Sequence, residues 1–519
     1  MKNTGRISPK EHYQQLRALP WSRLWSEEAR RFDTAAPQER RENVAVVRAV
    51  GVVFSESGDF RQKEEVAKWL RTLLQDPEEK VRRYAMAALP KIGAEAADEA
   101  ELLSLLGKTT VDREKKFLGQ ALNKIGGAAT LEALAKEPKA LAPRTEQKVR
   151  ASVARTQEPS TVRLEARLGD PEGLVICLQT RRGLEEIVRD EVQEAGAEKG
   201  IFRVEKMAAG RVSVSAKTAF SLGELFALRC FSTAGFLLGD IPSIAGGPDL
   251  EALAAAITSP KSRRIFQTFT EGALRYRLDF LESGHQRGAV RRAAELAYDK
   301  CPELLNDSRS APWSIDVRRS ARGYVVELRP RLAPDPRFLY RQGDVPAASH
   351  PPLAACLARL AGREDGEVVW DPFCGSGLEL VERDLRGGVC AIFGTDRSPE
   401  AVDIAYANLA AAGSPPAKVK IACADFRDHA SNPGLGKASA TLVITNPPLG
   451  KRVPVRDLRR MVEDLFLAAA TVLKPGGRLV FVNPVSVERP PRSLELQSRQ
   501  LVDLGGFDCW LEKYVKRSP

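Results

Sequence analysis

Two stretches decide the reading of this 519-residue chain, Asp371-Pro-Phe-Cys-Gly-Ser-Gly377 and Asn446-Pro-Pro-Leu-Gly450. Each follows an apolar run of buried-strand length, Gly366-Glu-Val-Val-Trp370 and Ala440-Thr-Leu-Val-Ile-Thr445. Beyond the first stretch, Leu378 to Leu385 has helical spacing, so the segment reads as strand, glycine turn and helix. Gly375 and Gly377 let the backbone turn sharply and admit a ligand where a Cβ would clash. Ala391-Ile-Phe-Gly-Thr395 reads as a second strand, ending at Asp396-Arg397 before the helical pattern Ala401, Ile404, Ala405, Asn408, Leu409. An acid at that spacing can accept both hydroxyls of a ribose. A third strand, Val419-Lys-Ile-Ala-Cys423, leads to Asp425 and Phe426. Four strands thus carry polar residues at their carboxyl ends, where the ligand crevice of an open α/β sheet lies.

Residues 341–519 resemble the class I S-adenosylmethionine-dependent methyltransferases, in the subgroup that modifies exocyclic amines of nucleobases. Asp371, Phe373, Cys374, Gly375, Ser376 and Gly377 fall in that subgroup's nucleoside-binding motif, which extends to a matching acid at Glu382. Asp396, followed by Arg397, matches the family's ribose-binding acid; Asp425, followed by Phe426, matches its adenine-contacting acid. Asn446-Pro447-Pro448-Leu449 stands where the family has its catalytic motif, and Asn446 also borders the cofactor. Ser349-His-Pro-Pro-Leu-Ala-Ala-Cys-Leu357 begins the helix before the first strand and is similar to an additional cofactor-contacting motif. The resemblance implies S-adenosylmethionine as cofactor.

The catalytic motif suits an amine acceptor. Guanine N2 is a poor nucleophile because its lone pair is delocalised, so a site must favour the pyramidal geometry of the transition state. The side-chain oxygen of Asn446 and the carbonyl of Pro447 could each take one N–H and aim the lone pair at the methyl group. Prolines fix φ and add no competing donor. Positioning and oriented dipoles then supply most of the acceleration without a strong base. One departure stands out: the family has an aromatic after the two prolines and this chain has Leu449, so a flipped base needs a stacking partner elsewhere, with Phe373, Phe426 and Tyr340 as candidates.

The chain is long enough for about three domains, and 43% apolar content implies a globular, soluble protein. Met1-Lys-Asn-Thr-Gly-Arg6 lacks the apolar core of a secretory signal, and no stretch approaches a membrane span. Eight cysteines without a Cys-x-x-Cys pair suit the cytoplasm, and four scattered histidines, His12, His285, His350 and His429, make no convincing metal site. Lys plus Arg exceed Asp plus Glu by 79 − 68 = 11, an excess suggesting a polyanionic partner.

From about residue 37 to 160 the periodicity is helical throughout. Ala88-Leu-Pro-Lys-Ile-Gly93 recurs as Ala121-Leu-Asn-Lys-Ile-Gly126, each after an amphipathic leucine-rich helix, and Leu74-Gln-Asp-Pro-Glu-Glu-Lys-Val-Arg82 resembles a HEAT repeat. Such a module offers a docking surface for RNA or protein. After Thr156-Gln-Glu-Pro-Ser160 the pattern becomes α+β. Strands are expected at Leu174–Leu178, Arg211–Ser215 and Leu274–Phe280, helices at Gly183–Ala195, Leu222–Arg229 and Arg287–Tyr298, and a hairpin through Gly323. This order resembles the THUMP domain with its ferredoxin-like companion, which implies binding to the 3′ end of a tRNA acceptor stem. Lys261, Arg263, Arg264, Arg287, Arg291, Arg292, Arg318, Arg319 and Arg322 could contact phosphates there, and Lys451 and Arg452 lie beside the base pocket.

The expected architecture is therefore multidomain: a HEAT-like all-α repeat domain (1–165), an α+β THUMP-like region with a ferredoxin-like part (166–340), and a Rossmann-like α/β methyltransferase domain (341–519). The expected activity is guanine-N2 methylation of RNA, tRNA first. Large-subunit (23S) ribosomal RNA, adenine-N6 methylation and a non-catalytic RNA-binding adaptor stand as alternatives.

Overall fold

The computed structural model describes residues 8–93, 96–137, 140–141, 143–244, 246–281, 286–346, 348–450, 455–485 and 490–518. It divides into two compact units, Met1–Pro159 and Ser160–Pro519.

The first unit is helical. Helix Glu79–Ala88 packs against Ala45–Ser57 and Asp112–Ile125, and the last of these packs against Pro143–Gln157. Of the repeated stretch, Ala88, Leu89 and Ile92 are buried at and just after the end of one helix, and Ala121 and Leu122 are buried near the end of the next-but-one. Charged side chains pin the turns. Arg40 pairs with buried Asp76 at 2.8 Å, while Arg82 donates to the Asp76 carbonyl at 2.7 Å and to Glu114 at 2.6 Å.

Among the described residues the second unit holds two large sheets and three two-stranded ones, and one apolar cluster, from Leu168 to Leu511, draws on both large sheets. The first sheet has eight strands in the order Leu305–Asn306, Arg275–Phe280, Trp313–Ser320, Gly323–Pro330, Thr233–Ile241, Ile176–Gln179, Arg211–Ala216, Phe202–Ala208. Thr233–Ile241 is central, pairing antiparallel with Gly323–Pro330 on one side and Ile176–Gln179 on the other. It fuses what the sequence presents as two modules. The helix expected at Leu222–Arg229 is one turn, Leu222–Leu225, closed by a Ser221–Glu224 capping box. The chain then turns away because Glu191 takes the backbone N–H groups of Arg229 and Cys230 at 2.9 and 2.8 Å.

The second sheet has seven strands: β1 (Glu367–Asp371), β2 (Val389–Asp396), β3 (Val419–Cys423), β4 (Ala440–Thr445), β5 (Leu473–Asn483), β6 (Leu494–Asp503) and β7 (Asp508–Lys516), in the order β3-β2-β1-β4-β5-β7-β6. β1 to β5 are parallel; β7 runs antiparallel to both β5 and β6. The central strands are apolar on both faces, as a parallel sheet covered by helices requires. Those helices are α1 (Pro351–Ala361), α2 (Leu378–Leu385), α3 (Pro399–Ala411) and α4 (Leu458–Val472). Strand order reverses between β1 and β4, which opens a crevice at their carboxyl ends.

The two sheets are fastened together by specific contacts. Arg229 forks onto both oxygens of buried Glu382 in α2 at 2.7 and 2.8 Å, and Tyr340 donates to the same carboxylate at 2.5 Å. Gly183 has φ +97° and lies so close to β6 that a Cβ would collide with the Leu501 carbonyl, which only glycine avoids. Removing one partner of a buried ion pair strands the other charge. Arg229→Ala should therefore lower unfolding free energy by about 3 kcal/mol, whereas Arg291→Ala, whose Glu295 pair is exposed, should change it by less than about 1 kcal/mol. Chemical denaturation of both variants measures the contrast, and equal losses would refute it.

Candidate active site

The crevice at the tips of β1 to β4 is a cavity of about 1060 Å³. Asp371 ends β1 fully buried, and its Oδ1 accepts the Phe373 N–H at 2.9 Å, which fixes the start of the loop. Cys374 N–H donates to the Thr395 carbonyl at 3.0 Å and Gly375 N–H to Asp396 Oδ2 at 3.0 Å, tying the loop to β2. Gly377 has φ +78° and sits where a Cβ would come within 3.2 Å of Ala405 Cβ. Glycine there allows both the turn and the close packing of α2 on α3.

Asp396 lines the cavity with one acceptor site on each oxygen already used, by Gly375 and by the Ser398 N–H at 2.9 Å. A carboxylate oxygen has a second site, so Asp396 can still take two hydroxyls. Asp425 accepts the Arg427 N–H at 3.0 Å and pairs with the Arg427 guanidinium, which also grips Asp464 at 2.7 Å. Phe373 and Phe426 meet with ring centroids 4.6 Å apart, and both line the cavity. Cys374 does too, but burial pushes its thiol well above the ordinary range and removes it as a nucleophile. A ribose acceptor, an aromatic wall and an apolar floor fit a nucleoside-bearing cofactor.

At the tip of β4, Asn446 Nδ2 donates to Ser349 Oγ at 2.8 Å, and Ser349 Oγ donates to Glu379 in α2. Asn446 Oδ1 is buried without a partner. Pro447, Pro448 and half-buried Leu449 continue the same wall. A buried acceptor left open beside a cavity costs about 1–3 kcal/mol, a debt that a substrate N–H would cancel.

The structure thus brings Phe373, Cys374, Gly375, Ser376, Asp396, Arg397, Asp425, Phe426 and Asn446 to Leu449 around one space. Five residues stand otherwise than the sequence suggests. Asp371 and Gly377 shape the loop but do not line the cavity. Glu382 and Tyr340 are buried against Arg229, because a carboxylate facing the core needed its own cation, so neither can contact cofactor or base. Arg264 is held by Asp170 at 3.0 Å. Arg263, Arg287, Arg291 and Arg292 are exposed and Lys261 half-buried, while Lys451 and Arg452 lie outside the described residues. Arg287 and Arg291 line a separate cavity of about 860 Å³ with Arg277 and Tyr298.

Sequence reasoning missed Glu379, Arg181, Arg456, Arg460 and Phe507, all on the cavity wall; Ser349, also there, lay in a quoted motif but was given no role of its own. Phe507, in the turn between β6 and β7, supplies an aromatic at the cavity, which Tyr340 does not.

Residues 339–490 match the family model described as RMKL-like, methyltransferase domain. The chain is 29% identical over 155 residues to the U6 snRNA (guanine-N(2))-methyltransferase THUMPD2 of Bos taurus, covering 30% of this chain and 29% of that protein. It is 28% identical over 172 residues to the tRNA (guanine(10)-N2)-dimethyltransferase of Methanocaldococcus jannaschii, covering 32% and 44%. It spans less than half the length of these two relatives. The structure of TrmN from Thermus thermophilus superposes with a TM-score of 0.51 at 22% identity, covering 66% of this chain and 99% of that one, which shows a shared fold.

Burial, reinforced by Glu379, pushes the Asp371 carboxyl well above its usual range. The folded chain therefore keeps a proton that the unfolded chain releases above about pH 3.9. That contribution to stability is complete below about pH 4 and is lost as pH rises. Asp371→Asn, which retains the acceptor for Phe373, should raise the melting temperature relative to the parent more at pH 8 than at pH 5. An equal shift at both values would contradict the burial argument.

Proposed function

We propose that this chain is an S-adenosylmethionine-dependent RNA guanine-N2 methyltransferase acting on tRNA in the cytoplasm. The proposed division of labour is a HEAT-like domain at 1–165, a THUMP-like RNA-gripping region with a ferredoxin-like part at 166–340, and the methyltransferase domain at 341–519. The observation that supports the activity is Asn446, a residue of the cavity wall whose buried Oδ1 has no partner while its nitrogen is bound to Ser349. The names of the relatives, guanine-N2 enzymes of tRNA and U6 snRNA, support both the acceptor atom and the RNA class.

In this reading Asp396 holds the cofactor ribose, Asp425 and Phe426 its base, and the Phe373–Gly377 loop its remaining length. S-Adenosylmethionine supplies an electrophilic methyl on a sulfonium. Asn446 Oδ1 and the Pro447 carbonyl accept the two amine hydrogens, which holds the nitrogen lone pair out of the guanine plane. Pro448 and Leu449 exclude water from one face, and Phe507 with Phe373 and Phe426 offers aromatic surface for the base. The net positive charge and the exposed Arg287, Arg291 and Arg263 favour phosphate contacts. No helix among the described residues is long and apolar enough to cross a membrane.

Incubating the protein with labelled S-adenosylmethionine and total RNA, followed by nucleoside mass spectrometry, should yield N2-methylguanosine in the tRNA fraction. Label in adenosine, or cofactor binding without any transfer, would overturn the assignment. Asn446→Ala should cut kcat by about 100-fold or more while leaving S-adenosylhomocysteine affinity within about threefold.

A further inference from the structure

We propose that Ser349 and Glu379 are positioning residues that set which way round the Asn446 amide stands, and hence whether an acceptor meets the substrate amine. The inference rests on the methyl-transfer reading of the same cavity. Ser349 lies just ahead of α1, Glu379 in the first turn of α2 and Asn446 at the tip of β4, so three distant parts of the chain meet in one line. The Ser349 hydroxyl gives its hydrogen to Glu379 Oε1. Its oxygen is then free only to accept, and Asn446 Nδ2 donates to it at 2.8 Å. Asn446 Oδ1 is buried and has no partner.

An amide has almost the same shape with its oxygen and nitrogen exchanged, so packing alone does not choose between the two orientations. Hydrogen-bond polarity does. An ionised Glu379 can only accept, which forces the serine hydrogen toward it and the amide nitrogen toward serine. A protonated Glu379 can donate to serine; the serine hydrogen then turns to the amide, which must rotate to offer its oxygen inward. The amide NH2 would face the substrate NH2, donor against donor, and the lone pair would lose its guide.

The surroundings of Glu379 place this exchange within reach. Glu379 is buried, and the ionisable groups that face it, Asp371, Glu382, Tyr340 and Cys374, are all acids. Glu382 is already matched by Arg229. Burial pushes the Glu379 carboxyl up to about 7, against the lowering effect of the Ser349 hydrogen bond. A proton on Glu379 therefore competes near neutrality with the hydrogen-bond order that catalysis needs.

The test is kcat against pH, with saturating S-adenosylmethionine and RNA, for the parent, Ser349→Ala, Ser349→Thr and Glu379→Gln. Calorimetric binding of S-adenosylhomocysteine checks that each variant is folded. The parent should lose kcat as pH falls through the Glu379 range; Glu379→Gln, whose carbonyl still accepts from serine but cannot titrate, should lose that acid limb. Ser349→Ala should lower kcat roughly tenfold or more with little change in KM, and Ser349→Thr, which keeps the hydroxyl, should recover most of it. The inference falls if Ser349→Ala keeps full kcat, if the acid limb survives in Glu379→Gln, or if that variant weakens cofactor binding while the pH profile stays put. If the parent transfers no methyl group to any RNA, the underlying reading falls and this inference with it.

Discussion

A parallel sheet whose strand order reverses cannot close its own tips, and the candidate site depends on that gap. β1 and β4 lie side by side, yet the loops leaving them diverge, one into α2 and the other along Asn446-Pro-Pro. The backbone ends at the tips must find partners other than a neighbouring strand. Asp371 and Asp396 supply them, each tying a loop amide back to the sheet at 2.9 to 3.0 Å. Of the two carboxylates, Asp396 also lines the crevice, whereas Asp371 stays buried behind the loop.

That arrangement has a cost in solvation. Asp371 and Glu379 are buried together, and burial raises both carboxyls above the usual range. Stability alone would favour amides or apolar side chains at such positions. Glu382, one turn further along α2, shows the alternative the fold uses where no cavity is involved: a cation, Arg229, seated directly on it. The contrast between a matched and an unmatched carboxylate on one short helix separates the face that fastens the protein from the face that lines the cavity.

Much of the second sheet could be read from the chain because its central strands β1, β4 and β5 are buried on both faces and so hold continuous apolar runs. The residue ranges of β3, β4 and α2 are those expected from sequence. β6 was missed for the opposite reason: as an edge strand it exposes Glu495 to Arg499 and leaves no apolar signal. Thr233–Ile241 was missed although it is central, since Gly235 and Gly239 interrupt its pattern. In the site, residues carried by motif spacing were legible, whereas Glu379 and Phe507 reach the cavity only through the packing of separate elements. Tyr340 shows the converse error, an aromatic close in sequence to the domain but turned under α2 by its bond to Glu382.

The fastening of the two sheets has one further consequence. Arg229 on Glu382, Arg359 on Glu194 and Gln500 on the Gly183 carbonyl cross the junction at three separate places. Each of these contacts would have to break before the eight-stranded sheet could swing at that junction. While they hold, helix Arg287–Lys300 and the Asn446 amide belong to sheets that move together.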